Sequence, residues 1–177
     1  MKLLILDRDG VVNQDSPTYI KSPDEWHPLP GSLEAIARFS KAGYRIVVAT
    51  NQSGVSRGLF DLETLGQIHA KMLAAAEAAG GQIDAVFFCP HAESAHCECR
   101  KPKPGMLLDI FARTGIAPSD ALMVGDSLRD MLAGQAAGCR TILVLTGNGR
   151  KTMDMEELPA DTQIRVDLSA VAAEWLS

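Results

Sequence analysis

Short runs of consecutive aliphatic residues alternate along the chain with stretches whose apolar positions recur every three or four residues. Leu3-Leu4-Ile5-Leu6 is too short for a buried helix and suits a strand covered on both faces, as in a parallel sheet. Similar runs predict strands at Arg45–Ala49, Asp84–Phe88, Ala121–Val124 and Thr141–Leu145, with a short edge strand at Ile164–Val166. Helical spacing predicts helices over Gly31–Gly43, Asp61–Ala79, Met106–Thr114, Arg129–Ala137 and Leu168–Leu176. Asp61 is placed to cap the second of these, and Gly43, Gly80 and Gly138 supply stops. Strands alternating with helices imply an α/β fold, a parallel sheet with helices on both faces. Two stretches escape the pattern. Asn13–Pro30 is broken by Pro17, Pro23, Pro28 and Pro30 and reads as a long irregular loop, and such loops are usually functional. Thr146–Lys151 reads as a flexible loop at the same sheet edge.

In open α/β sheets, ligands bind beyond the carboxyl ends of the strands. The first predicted strand ends in Asp7 and Asp9, followed by Gly10; the second in Thr50-Asn51-Gln52-Ser53-Gly54; the fourth in Gly125-Asp126-Ser127-Leu128-Arg129-Asp130. Of two adjacent acids, one can attack a phosphoryl or acyl centre while the other gives and takes a proton. Their mutual repulsion implies a cation, most simply Mg2+ held by oxygen ligands, with Asp126 as a further ligand. The Thr50 hydroxyl suits a phosphate oxygen. Taken singly, each of these clusters also reads as a polar turn. Asp130 suits the first turn of a helix through its dipole, or serves as a partner of metal-bound water. Asp15, Ser16 and Thr18 are placed to touch a polar ligand. Trp26 reads as core, and His69 as a surface or half-buried residue.

Cys89-Pro90-His91 and Cys97-Glu98-Cys99 bring four soft ligands into eleven residues. The set fits a closed tetrahedral zinc site that pins one short loop; a redox role is weaker without C-x-x-C. Arg100-Lys101-Pro102-Lys103-Pro104 follows at once, so the loop would hold cations able to stabilise a transferring phosphoryl group.

Composition narrows the classes. A length of 177 residues suits one domain spanning 1–177. A net charge of -5 with 5% aromatic residues argues against a nucleic-acid-binding module. No apolar run reaches transmembrane length and the first residues lack a signal-peptide layout. A soluble cytoplasmic monomer without a membrane partner is expected.

Asp7-x-Asp9-Gly10, Thr50, Lys101-Pro-x-Pro and Gly125-Asp126-x-x-x-Asp130 resemble the motifs of the haloacid dehalogenase (HAD) superfamily of phosphatases. Asp7-Arg-Asp-Gly, Thr50-Asn-Gln-Ser-Gly, the Cys/His loop and Cys99-Arg-Lys-Pro resemble the subgroup that holds the heptose bisphosphate and histidinol phosphatases. The resemblance implies a Rossmann-like HAD fold without a large cap domain. It implies an aspartyl-phosphate mechanism with Asp7 as nucleophile and Asp9 as acid and base. Thr50, Arg100 and Lys101 would stabilise the phosphoryl group. Mg2+ would bind Asp7, the Asp9 carbonyl and Asp126, and structural Zn2+ would bind Cys89, His91, Cys97 and Cys99. Substrate contacts are implied at Asp7, Arg8, Asp9, Asp15, Ser16, Pro17, Thr18, Thr50, Asn51, Gln52, Ser53, Arg100, Lys101 and Ser127. Ser53 stands where histidinol phosphatases typically carry Asp, and Asn13-Gln-Asp-Ser resembles the heptose enzymes. The expected substrate is therefore a heptose 1,7-bisphosphate, whose product feeds nucleotide-activated heptose for lipopolysaccharide core, with histidinol phosphate as the alternative. A phospho-accepting receiver domain also uses strand-end acids, Thr and Lys, but needs neither the second acid nor a zinc loop.

Overall fold

Residues 1–177 are described by a computed structural model. Leu3–Leu6 form β1, buried on both faces. After it come α1 (Ser32–Lys41), β2 (Arg45–Asn51), α2 (Leu62–Ala78), β3 (Ala85–Cys89), α3 (Gly105–Thr114), β4 (Ala121–Gly125), α4 (Leu128–Ala137), β5 (Arg140–Val144), α5 (Gly149–Met153), β6 (Gln163–Arg165) and α6 (Leu168–Trp175). All strand pairs are parallel, in the order β3-β2-β1-β4-β5-β6. That is the doubly wound order, whose ligand crevice opens where the winding reverses, beyond β1 and β4.

Side chains alternate across the sheet, as period-two geometry requires. Leu4, Leu6, Ile46, Val48, Leu122 and Val124 pack with α1, α2 and α6 on one face. Leu3, Ile5, Val47, Ala49 and Met123 pack with α3 and α4 on the other. Two cores therefore clamp β1 and hold its carboxyl end still. Asp61 caps α2 as expected, its side chain accepting from the Thr64 N–H at 2.8 Å.

The predicted elements are present with ends moved by a residue or two, and two expectations change. The 146–151 segment is not all loop: α5 begins within it. Its sequence lacks an apolar stripe, so periodicity could not show it. Thr152 holds it instead, its hydroxyl donating to the Asp126 carbonyl at 3.0 Å. His69, expected at or near the surface, is 7% exposed. The 13–30 loop is irregular apart from a 3-10 turn at Pro23–Glu25, and Trp26 is buried in the core as expected. Its ends are tied together by the Gln14 and Leu29 N–H groups, which donate to His27 and Val12 carbonyls.

Candidate active site

Three strand ends set the site. Leu6 is in register with Val48 on β2 and Val124 on β4. Asp7 is the next residue after Leu6, while Thr50 and Asp126 lie two beyond their partners. The parallel sheet thus delivers a carboxylate, a hydroxyl and a second carboxylate to one edge. Gly10 makes room for them: at φ 84° it turns the chain back, and a Cβ there would lie 2.1 Å from the Asp126 Oδ2. Gly147 lies beside Gly10 against the same oxygen, with the same 2.1 Å clash for a Cβ.

Lys101 ties the edge together. Its Nζ donates to Asp7 Oδ1 at 2.9 Å and to the Ala49 carbonyl at 2.7 Å, and pairs with Asp130 Oδ1 at 2.6 Å. Burial pulls the ammonium pKa down, but Asp130 and Asp7 outweigh it and hold the group above its usual value. Asn51 fixes the main chain here, exchanging hydrogen bonds with the Lys101 carbonyl and N–H at 3.0 and 3.1 Å. Asp130 Oδ2 accepts from the Asp126 N–H, the Ser127 N–H and the Ser127 hydroxyl at 3.2, 3.1 and 2.8 Å. Both Asp130 oxygens are therefore occupied in shaping the turn after β4 and in holding Lys101.

Asp9 belongs to a separate network. Its Oδ1 accepts from Arg8 Nε at 3.0 Å and Asn13 Nδ2 at 2.9 Å, and its Oδ2 from Gln52 Nε2 at 3.1 Å. Gln52 Nε2 also donates to Thr50 Oγ1 at 2.9 Å, which leaves the Thr50 hydroxyl proton free for another acceptor.

A cavity of about 380 Å³ opens above these groups. Asp7, Asp9, Asp15, Ser16, Pro17, Thr50, Asn51, Gln52, Ser53, Arg100, Lys101, Asp126 and Ser127 all line it. Two expected substrate contacts do not. Arg8 is 0% exposed, because the side chain after Asp7 points to the opposite face of the chain, under the site. Thr18 is outside the lining and instead holds Ser16, through a hydroxyl contact of 3.1 Å. Residues not singled out beforehand complete the wall: Tyr19, Ile20, Arg57, Glu93, Arg129 and Asn148. Asn148 donates from Nδ2 to Asp15 at 3.0 Å and from its main-chain N–H to Asp126 at 2.8 Å. Only its place in a loop after a strand hinted at this.

The donor set fits a hard divalent cation. Carboxylate oxygens of Asp7, Asp126 and Asp130 lie within 4.8 Å of one another. Burial above all, then the Asp130 charge, pushes the Asp7 pKa up to about 7. Burial, then Asp7 and Asp130, pushes Asp126 up to about 8. Such a cluster is short of positive charge, and Mg2+ takes oxygen ligands of this kind. With Asp130 engaged elsewhere, Asp7 and Asp126 are the side chains left to hold it. At the loop after β3, Sγ of Cys89, Cys97 and Cys99 and Nδ1 of His91 converge at separations of 3.1 to 3.7 Å. A tetrahedron with ~2.3 Å zinc–sulfur bonds has edges of about 3.8 Å, so the set fits zinc.

The HAD-hydrolase-like family model matches residues 98–170. The D-glycero-beta-D-manno-heptose-1,7-bisphosphate 7-phosphatase of Bordetella bronchiseptica is 56% identical over 176 residues, covering 99% of this chain and 98% of the relative. A crystal structure of the B. bronchiseptica D,D-heptose 1,7-bisphosphate phosphatase, complexed with magnesium and phosphate, superposes with a TM-score of 0.97, covering 99% of this chain and 98% of that one at 56% identity. The Burkholderia thailandensis D,D-heptose 1,7-bisphosphate phosphatase, 52% identical, covers 100% of this chain and 99% of its own with a TM-score of 0.81. Identity of this order across the whole length, with the strand-end acids in place, leads to one assignment: the chain belongs to the D-glycero-β-D-manno-heptose-1,7-bisphosphate 7-phosphatase family of HAD-like hydrolases.

Proposed function

We propose that the chain removes the 7-phosphate of D-glycero-β-D-manno-heptose 1,7-bisphosphate through an aspartyl-phosphate on Asp7, in the supply of nucleotide-activated heptose for lipopolysaccharide core. The observation that carries this reading is the polar cavity of about 380 Å³ in which Asp7, Asp9, Thr50 and Lys101 meet. Its size suits a sugar phosphate and its walls carry cations for a dianion.

Asp7 is the nucleophile, attacking phosphorus in line at the tip of β1. Lys101, already 2.9 Å from Asp7, stands where the phosphoryl oxygens arrive and is held there by Asp130. Thr50 donates a hydrogen bond from its free hydroxyl to one of those oxygens, and Arg100 closes the cationic side from the loop after β3. Asp9 protonates the departing O7 of the sugar, then takes a proton from the water that hydrolyses the aspartyl-phosphate. Ser16, Gln52, Ser53 and Asn51 face the leaving group, with Asp15, Pro17 and Ser127 at the rim.

Asp7, Asp126 and the Asp9 carbonyl would hold Mg2+, which neutralises charge on the reacting anion when bound. The B. bronchiseptica phosphatase crystallised in complex with magnesium and phosphate, which supports magnesium as the ion. Cys89, His91, Cys97 and Cys99 would hold Zn2+, which stiffens the loop that carries Arg100 and Lys101. One sheet spans Leu3 to Arg165, which supports a single catalytic domain over 1–177. No helix is long and apolar enough to cross a membrane, and a cytoplasmic location agrees with a phosphorylated sugar as substrate.

Phosphate release measured side by side on the heptose bisphosphate and on histidinol phosphate tests the substrate. Faster turnover of histidinol phosphate would reverse the choice. Asp7→Asn should lower turnover at least a thousandfold with the fold intact, as for other nucleophile losses of order 10³ or more.

A further inference from the structure

We infer that His69, a buried histidine on α2, is a positioning residue for Asp9, acting through the Arg8 guanidinium that lies between them. The inference rests on the proposed acid and base role of Asp9.

Arg8 Nη1 lies 3.2 Å from His69 Nε2. The other side of the same guanidinium grips Asp9, with Nε 3.0 Å from Oδ1 and Nη2 3.2 Å from Oδ2. Arg8 is completely buried, and Asp9 is the one acid within ion-pair distance. A guanidinium keeps its proton and offers only donors, so each buried N–H needs an acceptor or costs stability. Asp9 satisfies one edge of the fork. His69 faces Nη1 with a ring nitrogen, and only a lone pair on that nitrogen makes the contact favourable. Burial first, and the Arg8 charge second, push the His69 pKa down to about 4, so the ring is neutral and can accept. Nε2 then carries the lone pair and Nδ1 the proton. Phe88 stands beside the ring, with centroids 6.0 Å apart.

This gives a line of contact from a helix in the core to the cavity wall. The Asp9 side chain is 23% exposed and has to present one oxygen to the leaving group. Asn13 and Gln52 each hold one oxygen from the side, whereas Arg8 sets the plane of the carboxylate by engaging both. With His69 silent, the fork loses its anchor and that plane is free to turn. A reacting group misplaced by about 1 Å can cost on the order of a hundredfold in rate. A histidine that merely fills the core would affect stability, and turnover only in proportion to unfolding.

The test uses the full chain with Mg2+ and the heptose bisphosphate. His69→Leu removes the acceptor, and His69→Gln supplies a carbonyl oxygen at nearly the same reach. H69L should lower kcat about ten- to a hundredfold with KM within about twofold. H69Q should recover most of the loss. In an Asp9→Asn background the H69L change should no longer lower the residual turnover. Should H69L not fold, His69→Asn, whose amide is too short to reach Arg8, takes its place with the same expected results. Wild-type kcat in the folded variant, no recovery in H69Q, or an equal loss in the D9N background would overturn the inference. D9N alone separates the two readings. Normal turnover there removes the role of Asp9, whereas a dead D9N beside an unaffected H69L removes only that of His69.

Discussion

Lys101 Nζ lies 2.6 Å from Asp130 Oδ1, joining the loop after β3 to the first turn of α4 across the carboxyl edge of the sheet. Both side chains are almost completely buried, and Asp130 spends its second oxygen on the turn that aims Asp126. The pair therefore couples the Lys101 ammonium to the backbone that places the Asp126 carboxylate.

Lys101→Met should remove both activity and stability. It leaves Asp130 buried without its cation, and breaking one partner of a buried pair costs about 3–5 kcal/mol. Urea unfolding should show a lower midpoint, and K101M with Asp130→Asn should regain part of it. Lys101→Arg should not restore turnover, because a planar guanidinium cannot replace a compact ammonium that meets Asp7, Asp130 and the Ala49 carbonyl at once.

Gly10→Ala tests the seat of Asp126. The new Cβ would meet Asp126 Oδ2 at 2.1 Å, and φ 84° is itself strained for alanine. The strain alone costs about 1–2 kcal/mol. The displaced carboxylate should raise the Mg2+ concentration needed for half-maximal activity, read by titrating the ion into metal-free enzyme. Gly43→Ala, also at positive φ but in open space, should leave that concentration unchanged.

One zinc per chain is expected by elemental analysis. Cys97→Ser should lose it, melt at lower temperature and lose kcat, since Arg100 and Lys101 leave the same loop. Activity that survives full removal of zinc would separate the loop from the cation site.

His69 should make stability fall in acid. Its folded pKa of about 4 lies below the ordinary value of 6.5, so only the unfolded chain takes up a proton between them. The stabilisation is complete above about pH 6.5 and is lost as pH falls toward about 4. Relative to His69→Gln, the wild type should lose about 2 kcal/mol between pH 7.5 and 5, read from denaturant midpoints. A constant gap between the two proteins across that range would contradict the buried neutral ring.

Much of this site was legible before any fold was known. Asp7, Thr50 and Asp126 each close a predicted strand, and parallel strands end on one edge, so their meeting followed from pattern alone. Cys89, His91, Cys97 and Cys99 are near in sequence, and local spacing carries their convergence. The residues missed or misplaced come from three situations. Arg57, Arg129 and Asn148 reach the cavity from loops or helix starts whose direction no periodicity encodes. Arg8 sits between two cavity residues yet points the other way, because successive side chains at a strand end alternate. His69 lies on a helix whose apolar stripe neighbours it, and burial of a polar ring depends on what packs above.

The order of hydrophobic and polar residues by itself determined the sheet, its two helical layers and the edge where chemistry gathers, because burial of short aliphatic runs admits few arrangements. Only the tertiary structure decided which oxygen of each carboxylate is taken and which is free. Partners such as Lys101 and Asp7, or Arg8 and His69, are distant along the chain, and hydrogen-bond direction is settled by where the packed backbone leaves each side chain.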